Sequence, residues 1–311
     1  MSRREPTNLA ASVRRRLLNW SRDHSEDFLT LTRYAIERLL YRLSQSQYAD
    51  RFVLKGALLL ALWTRRLYRP TRDLDLLGYG ESSQGALTSA FRELCSMNVE
   101  ADGLVFDPHS VRVTEIREEE EYGGQRVQMV AMLGNARIAL RVDVGFGDVV
   151  TPAAREVEYP TLLELPAPRL RAYPQETVIA EKLQAMVALG MTNSRMKDFY
   201  DVWMMSRELT FDGRVLARAI RRTFECRQTA LPCATPVALT SAFALQPEKG
   251  VQWKAFLSRN GLEADSAEFA RIVADLHGFL MPPLAAVVSG QGYDGTWHAG
   301  GPWVKTGASC F

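Results

Sequence analysis

Apolar residues recur at helical spacing near the beginning of the chain. In residues 27–44 they return every three or four positions, which predicts an amphipathic helix. A shorter helix is predicted for residues 7–20, where three consecutive arginines precede two leucines. Ser82 or Ser83 should cap a further helix that ends near Met97, because a serine hydroxyl accepts a hydrogen bond from a free N–H of the first turn.

Alternation of apolar and polar residues predicts several strands in the first half of the chain. The predicted strands are a short run at 52–54 and longer runs at 111–116, 126–133 and 136–146. Gly134 and Asn135 separate the last two runs and suit a two-residue hairpin turn. The acidic run 118–121 should lie in a solvated loop.

The second half of the chain begins with prolines and continues with helical periodicity. Residues 152–174 contain five prolines and little periodicity, which predicts a crossing between domains. Predicted helices cover residues 174–190, a segment that begins at Ser194, and about 215–225 and 266–280. Trp297 and Trp303 should pack the glycine-rich tail onto the body of the protein.

These elements predict an α+β fold with two domains. A domain with a mixed sheet is expected over residues 1–160. A mainly helical domain is expected over residues 161–311. The length of 311 residues is sufficient for two hydrophobic cores of ordinary size.

Charge is distributed unevenly along the chain, although the formal net charge is only +2. Residues 1–72 contain 15 lysines and arginines but 6 acidic residues. A basic region suits a polyanionic substrate such as RNA. The alternative is that these arginines lie on the solvated faces of helices.

Cysteine and histidine positions exclude several kinds of site. Their spacing suits neither a zinc site nor a CxxC redox pair, so free thiols are expected at Cys95, Cys226, Cys233 and Cys310. No apolar run approaches the length of a membrane span, and the first residues lack the apolar segment of a signal peptide. A cytoplasmic protein without a membrane partner is therefore expected.

Asp73 and Asp75 are the strongest candidate for chemistry in the sequence. They lie one residue apart in an apolar run that ends at Gly78, so both should project from the same face of a strand. Two close carboxylates suit Mg²⁺, which binds one or two of them together with phosphate oxygens. The alternative is an accidental pair at a solvated strand end.

A glycine turn precedes this pair. The run 52–54 leads to Lys55 and Gly56, and strong helix formers begin at Ala57. A strand that turns at a glycine into a helix directs backbone N–H groups at an anion, and the helix dipole favours negative charge there. The turn is therefore a candidate for holding a triphosphate.

Asp143 is the candidate for a third carboxylate. It lies within an otherwise apolar predicted strand, where an unpaired charge is costly. A neighbouring strand could bring it beside Asp73 and Asp75 as a third metal ligand. Two alternatives remain open: a structural pair with a nearby arginine, and Asp148 as the third carboxylate instead.

Two motifs resemble the AbiEii/AbiGii/MenT family of nucleotidyltransferase-like toxins. The first comprises Leu54-Lys55-Gly56-Ala57 followed by Arg69, Thr71, Arg72, Asp73, Leu74 and Asp75. The second comprises Glu181-Lys182-Leu183 followed by Arg195-Met196-Lys197-Asp198-Phe199-Tyr200-Asp201. The first motif departs from the family pattern at Ala57, where Gly or Ser is usual. Two motifs in the expected order make the resemblance specific.

The resemblance implies roles for these residues. Lys55, Gly56, Ala57 and Arg72 would bind the nucleotide at the first motif. Lys182 would bind the triphosphate, as a point charge on a flexible stem, and Asp198 would be a functional carboxylate. Asp201 would hold two helices together.

The resemblance also implies an activity. The protein would be a Mg²⁺-dependent nucleotidyltransferase toxin that transfers NMP from an NTP to the 3′ end of tRNA, with its active site between the two domains. It would act in growth arrest or phage defence, and an antitoxin would be encoded beside it. Two other functions compete: nucleotidyl transfer to a small molecule such as an aminoglycoside, and an inactive module that binds nucleic acid or an antitoxin.

Overall fold

The computed structural model describes residues 8–24, 29–65, 68–116, 124–262 and 268–305. The chain forms two compact units. The first unit comprises Met1–Gly147 and Arg155–Ala172, and the second comprises Asp148–Ala154 and Tyr173–Phe311. The acidic run 118–121 and Cys310 lie outside the described residues. Cys95, Cys226 and Cys233 are free thiols, which confirms the prediction for these three.

In its described residues, the first unit combines four α-helices with a seven-stranded sheet. Its helices are α1 (Leu9–His24), α2 (Thr30–Ser44), α3 (Leu58–Thr64) and α4 (Gln84–Ser96). Its strands are β1 (Phe52–Lys55), β2 (Asp73–Gly78), β3 (Leu104–Ile116), β4 (Gly124–Leu133), β5 (Ala136–Phe146), β6 (Arg155–Glu158) and β7 (Arg169–Ala172). The spatial order is β3-β4-β5-β2-β1-β7-β6. The pairs β2–β5 and β1–β7 are parallel and the others antiparallel, so the predicted α+β fold with a mixed sheet is confirmed.

Helices α2 and α4 cover one face of this sheet. Leu74 and Leu76 of β2 point into that core and are each 1% exposed. Since side chains alternate along a strand, the residues between these leucines point to the opposite face of the sheet.

The N-cap of α4 is Ser83, one of the two predicted candidates. Its hydroxyl accepts a hydrogen bond from Ala86 N at 3.2 Å.

The predicted hairpin joins β4 and β5. Leu133 pairs with Ala136, and Gly134 has a φ of +59° in the turn between them. Strand β3 is longer than its predicted range of 111–116, since it already begins at Leu104. An irregularity between Asp107 and Arg112 shifts its register against β4, which interrupts the alternation on which the prediction depended.

The proline-rich segment 152–174 contains two strands that the sequence pattern did not predict. β6 and β7 pair with each other, and Leu54 of β1 pairs with Ala172 of β7. Both strands have four residues, and most of the β6 side chains are exposed. β6 is the edge strand, where short, charged strands are typical. β7 lies between β6 and β1 and buries only Leu170 and Ala172, which is too short a pattern to predict a strand.

The second unit is mainly helical. Its helices are α5 (Gln175–Leu189), α6 (Met196–Glu208), α7 (Gly213–Cys226), α8 (Ser241–Ala244), α9 (Pro247–Asn260) and α10 (Phe269–Val288). The strands β8 (Phe211–Asp212), β9 (Gly295–Trp297) and β10 (Trp303–Lys305) form a small sheet. Trp297 Nε1 donates to Ser206 O at 2.6 Å, and Trp303 Nε1 donates to Phe279 O at 2.9 Å. The predicted packing of the tail by these tryptophans is confirmed.

Helix α10 continues beyond its predicted end near residue 280. It includes Pro282 and Pro283 and ends at Val288. Within the described part of the chain, α10 alone has the length and apolar composition of a possible membrane span. Core helices share these properties, and α10 packs against α6, α7 and α8.

Candidate active site

Asp73 and Asp75 project from the same face of β2. The strand alternates between buried leucines and these two partly exposed aspartates. The Asp73 side chain is 38% exposed, and its Oδ1 lies 3.4 Å from Nη1 of Arg141 in β5. This is the shared face that the spacing predicts.

The neighbouring strands place two further predicted residues beside Asp75. Lys55 of β1 is its register partner on one side, and Asp143 of β5 is its partner on the other. Residues in register on adjacent strands point to the same face. The sheet thus brings Lys55, Asp75 and Asp143 into one row.

Asp143 forms a bidentate ion pair with Arg126 of β4. Arg126 Nε donates to Asp143 Oδ1 at 2.8 Å, and Arg126 Nη2 donates to Asp143 Oδ2 at 2.7 Å. The pairing of Asp143 with an arginine, one of the alternatives considered from the sequence, is therefore present. Both side chains remain partly exposed, at 31% and 22%. Since each carboxylate oxygen has two lone-pair sites, the pairing does not exhaust the capacity of Asp143 to bind a cation.

Arg126 was not identified from the sequence, although a signal for it exists. The hairpin turn at Gly134 and Asn135 sets the pairing of β4 with β5. Counting outward from the observed pair Leu133 and Ala136 leads directly to Arg126 and Asp143. A predicted hairpin with a known turn length therefore also predicts which residues face each other across it.

Gly56 lies at the turn between β1 and α3, as predicted. Its φ of +80° falls in the left-handed region, and a Cβ atom there would lie 2.7 Å from both Cβ and Cγ of Asp75. Ala57 is 8% exposed and precedes the first residue of α3, which has only seven residues. Arg72 is exposed just before β2. The turn is thus fitted to the Asp75 side chain.

The carboxylate pair suits a magnesium ion. Mg²⁺ takes one or two protein carboxylates and completes its octahedron with water and substrate phosphates. Among residues 8–24, 29–65, 68–116, 124–262 and 268–305, no group of three His, Cys, Asp or Glu side chains could hold a metal ion. A cation held by Asp73 and Asp75 would therefore depend on water and substrate for most of its ligands.

Lys182 and Asp198 lie together in the second unit. Lys182 Nζ on α5 donates to Asp198 Oδ1 at 2.5 Å and to Asp201 Oδ2 at 3.0 Å, both on α6. Arg195 Nε donates to the other Asp198 oxygen at 2.7 Å. The Lys182 side chain is 16% exposed, and the aspartates are 3% and 2% exposed. These contacts join α5 to α6.

Opposing effects act on the pKa of Asp198. Burial raises the pKa of its carboxyl, but the charges of Lys182 and Arg195 outweigh burial and hold this pKa below its usual range. Asp198 is therefore ionised at neutral pH although it is buried. The two cations beside it explain how the charge is tolerated.

Asp148, the alternative third carboxylate, belongs to a different cluster. Its Oδ1 accepts hydrogen bonds from Arg227 Nη2 at 2.8 Å and Arg227 Nε at 3.1 Å. Arg227 also donates to Gln184 Oε1 at 2.9 Å and lies 3.4 Å from Glu181 Oε2. Arg227 thus ties Asp148 and α5 to the end of α7. Sequence spacing gave no indication of this long-range partner.

Comparison with known proteins identifies one family. The model of the family described as nucleotidyl transferase AbiEii toxin, type IV toxin–antitoxin system, matches residues 38–275. Two Helicobacter pylori crystal structures, JHP933 and a protein provisionally designated a nucleotidyltransferase, each share 14% identity with the chain at a TM-score of 0.45. The first match covers 81% of this chain and 90% of the other, and the second covers 82% and 93%. No curated protein matches the sequence.

Proposed function

Because the chain belongs to the AbiEii family of nucleotidyl transferase toxins, we propose that it transfers a nucleoside monophosphate from an NTP to the 3′ end of tRNA and so blocks translation. The observation that carries the proposal is the placement of Asp73 and Asp75 on one face of β2, with Gly56 fitted against Asp75. A carboxylate pair beside a glycine turn suits metal-assisted transfer of a nucleotide.

In this proposal, Asp73 and Asp75 would hold Mg²⁺, and Asp143, the register partner of Asp75, would supply a third carboxylate on the same face. The bound metal would neutralise phosphate charge as the leaving pyrophosphate separates. Lys55, opposite Asp75, and Arg72 add positive charge for the triphosphate. Arg126 fixes the orientation of Asp143 through its two hydrogen bonds.

The acceptor hydroxyl is the nucleophile in this reaction, so no side chain needs to form a covalent bond. The hydroxyl oxygen bonds to the α-phosphorus of the NTP as the bond to pyrophosphate breaks. Asp143 is proposed to help activate that hydroxyl by accepting its proton. Positioning and charge neutralisation account for most of the rate enhancement in such transfers.

A nucleotide-binding role for Lys182 and Asp198 is proposed on the strength of the second motif. The contacts of Lys182 with Asp198 and Asp201 would by themselves explain a structural role. The functional proposal adds that the ammonium binds the triphosphate. A structural role and a nucleotide-binding role predict different effects of a Lys182 substitution on stability and on NTP affinity.

The family also implies a cognate antitoxin, since it is described as part of a type IV toxin–antitoxin system. We therefore propose that expression of the protein without its antitoxin arrests growth, and that Asp73→Ala relieves the arrest. A cytoplasmic location agrees with this proposal, since tRNA is found there. Growth at wild-type rate with high levels of the intact protein would contradict the toxin assignment.

The substrate is tested by incubating the protein with Mg²⁺, total tRNA and each labelled NTP in turn. The proposal expects label at the 3′ end of tRNA with at least one NTP. A parallel reaction replaces tRNA with a panel of aminoglycosides. Label on an aminoglycoside with none on tRNA would favour the small-molecule function, and label on neither acceptor would favour the inactive binding module.

A further inference from the structure

The face of the first unit that carries Asp73 and Asp75 continues across three more strands. In one row, Asp73 pairs with Arg141 of β5, Arg141 with Gln128 of β4, and Gln128 with Arg112 of β3. Arg141, Gln128 and Arg112 are exposed. Because residues in register point to the same face, this row leads away from the carboxylates along the open side of the sheet.

A parallel row extends the same surface. Arg137 of β5 pairs with Met132 of β4, which pairs with Val105 of β3. Arg137 is exposed, and Val105 is 68% exposed. Arg137 and Arg141 lie four residues apart on one strand, so their Cα atoms are separated by about 13 Å. We call the exposed face formed by Arg112, Gln128, Met132, Arg137 and Arg141 the arginine face.

Two acidic side chains, Asp107 and Asp143, lie on this side of β3, β4 and β5. Asp143 is paired with Arg126. Asp107, in register with Val130, accepts a hydrogen bond from His109 N at 2.9 Å. Arg112 donates through Nη1 to two carbonyl oxygens of its own strand, His109 O and Val111 O. Four arginines (Arg112, Arg126, Arg137 and Arg141) lie on this side of the three strands against two aspartates. The arginine face is thus a net positive surface that begins beside the carboxylate pair.

We propose that the arginine face binds the phosphate backbone of the RNA whose 3′ end is the acceptor at Asp73 and Asp75. This inference rests on the proposed function and extends it by assigning the surface that positions the acceptor. Arginine binds phosphate through its planar fork of donors. Positive charge that continues from the reaction centre holds the strand while its terminal hydroxyl lies at the carboxylates.

The composition of the arginine face favours backbone contact over base recognition. The positions between the arginines carry aliphatic or amide side chains, such as Gln128, Val130, Met132 and Ala139. Sheet surfaces that bind RNA bases in a sequence-specific way use aromatic side chains for stacking. Binding by the arginine face should therefore depend on salt and be nearly independent of RNA sequence.

The test measures binding of a labelled RNA hairpin with a single-stranded 3′ end, by fluorescence anisotropy without NTP and over a series of salt concentrations. The variant is Arg137→Ala/Arg141→Ala. The matched control is Arg218→Ala/Arg222→Ala, which removes two exposed arginines of α7 and gives the same change in net charge. Arg137→Lys/Arg141→Lys keeps the charge and checks that the sheet is intact.

The alanine pair should weaken RNA binding by at least about tenfold and lower the salt dependence by about one counterion for each arginine. The lysine pair should restore most of the affinity, and the α7 control should match the wild type. Equal weakening in the α7 control, or unchanged binding in the alanine pair, would overturn the inference. Since no NTP is present, a protein that binds RNA through this face but transfers no nucleotide would contradict the proposed function alone.

Discussion

The Asp75 side chain lies directly against Gly56 and occupies the space that a side chain at position 56 would need. A Cβ atom there would approach Cβ and Cγ of Asp75 to 2.7 Å, a separation that real Cβ atoms essentially never show. The sequence indicated Gly56 as part of a phosphate-binding turn. The structure adds that this glycine also leaves room for the candidate metal ligand.

Replacing Gly56 with alanine should therefore impair the site as well as the backbone. Gly80 provides a matched control, because its φ of +79° is nearly the same as the +80° of Gly56 but no atom lies within 4 Å of its missing Cβ. Both Gly56→Ala and Gly80→Ala should lower the free energy of unfolding by about 1 kcal/mol or more, because a Cβ disfavours left-handed backbone.

Only Gly56→Ala should also lose nucleotide transfer, by at least about a hundredfold, because Asp75 must move to accommodate the methyl group. Transfer is measured at a temperature where both variants are folded, and the free energy of unfolding by denaturant titration. Equal transfer by the two variants would show that the contact with Asp75 has no functional importance.

The central strands could be predicted because one of their faces is buried and the other is not. β2, β4 and β5 show the period of two, and the two-residue turn at Gly134 and Asn135 joins β4 to β5. The same reasoning placed Asp73 and Asp75 on one face. The charge of Asp143 within an apolar strand led to the separate prediction that it lies beside these aspartates, and Asp143 is the register partner of Asp75.

Elements defined by long-range contacts could not be predicted in this way. β6 and β7 are short strands among prolines, and they are defined by their pairing with each other and by the pairing of β7 with β1. Arg227 is distant in sequence from Asp148, which it binds. Helix α10 continues through Pro282 and Pro283, where local propensity predicts an end. In each case tertiary contacts outweigh the local pattern.

Lys182→Met should destabilise the second unit. Removing the ammonium leaves Asp198 and Asp201, which are 3% and 2% exposed, without their shared cation. Breaking a buried ion pair in this way costs about 3–5 kcal/mol in the free energy of unfolding. Asp201→Asn should cost less, about 1–2 kcal/mol, because the amide oxygen can still accept from Lys182. Denaturant titration of both variants tests this.

The same two variants separate a structural role of Lys182 from NTP binding. At a temperature where both are folded, Lys182→Met should bind NTP at least about tenfold more weakly than the wild type, whereas Asp201→Asn should bind it normally. Equilibrium binding of a nonhydrolysable NTP analogue is the measurement. Wild-type affinity in Lys182→Met would show that this lysine serves only to join α5 to α6.

Glu37 should make the stability of the first unit depend on pH. This fully buried residue of α2 accepts a hydrogen bond from Leu162 N at 2.8 Å and lies 3.6 Å from Arg38 Nη1. Burial raises the pKa of Glu37 to about 7, against a lowering effect of the Leu162 hydrogen bond and Arg38. Between pH 4.5 and about 7, the folded protein therefore keeps a proton on Glu37 that the unfolded chain has released.

A raised pKa of an acid means that stability falls as the pH rises from the unfolded value of 4.5 to about 7 and then levels off. Relative to Glu37→Gln, the wild type should lose about 3 kcal/mol of unfolding free energy across this window. Denaturant titrations in steps of pH test the difference, and Glu100→Gln, at an exposed position, serves as the control. An unchanged difference between wild type and Glu37→Gln would contradict the prediction.

The central claim is that the carboxylates on β2 carry nucleotide transfer. Asp75→Asn tests it most directly, because asparagine preserves size and the hydrogen-bonding oxygen but removes the charge that would hold Mg²⁺. Asp23→Asn, at an exposed position of α1, makes the same change away from the site. With tRNA, Mg²⁺ and labelled NTP, the account predicts labelled tRNA 3′ ends with the wild type and Asp23→Asn, and at least about a thousandfold less label with folded Asp75→Asn. Label at the wild-type rate with Asp75→Asn would contradict the account.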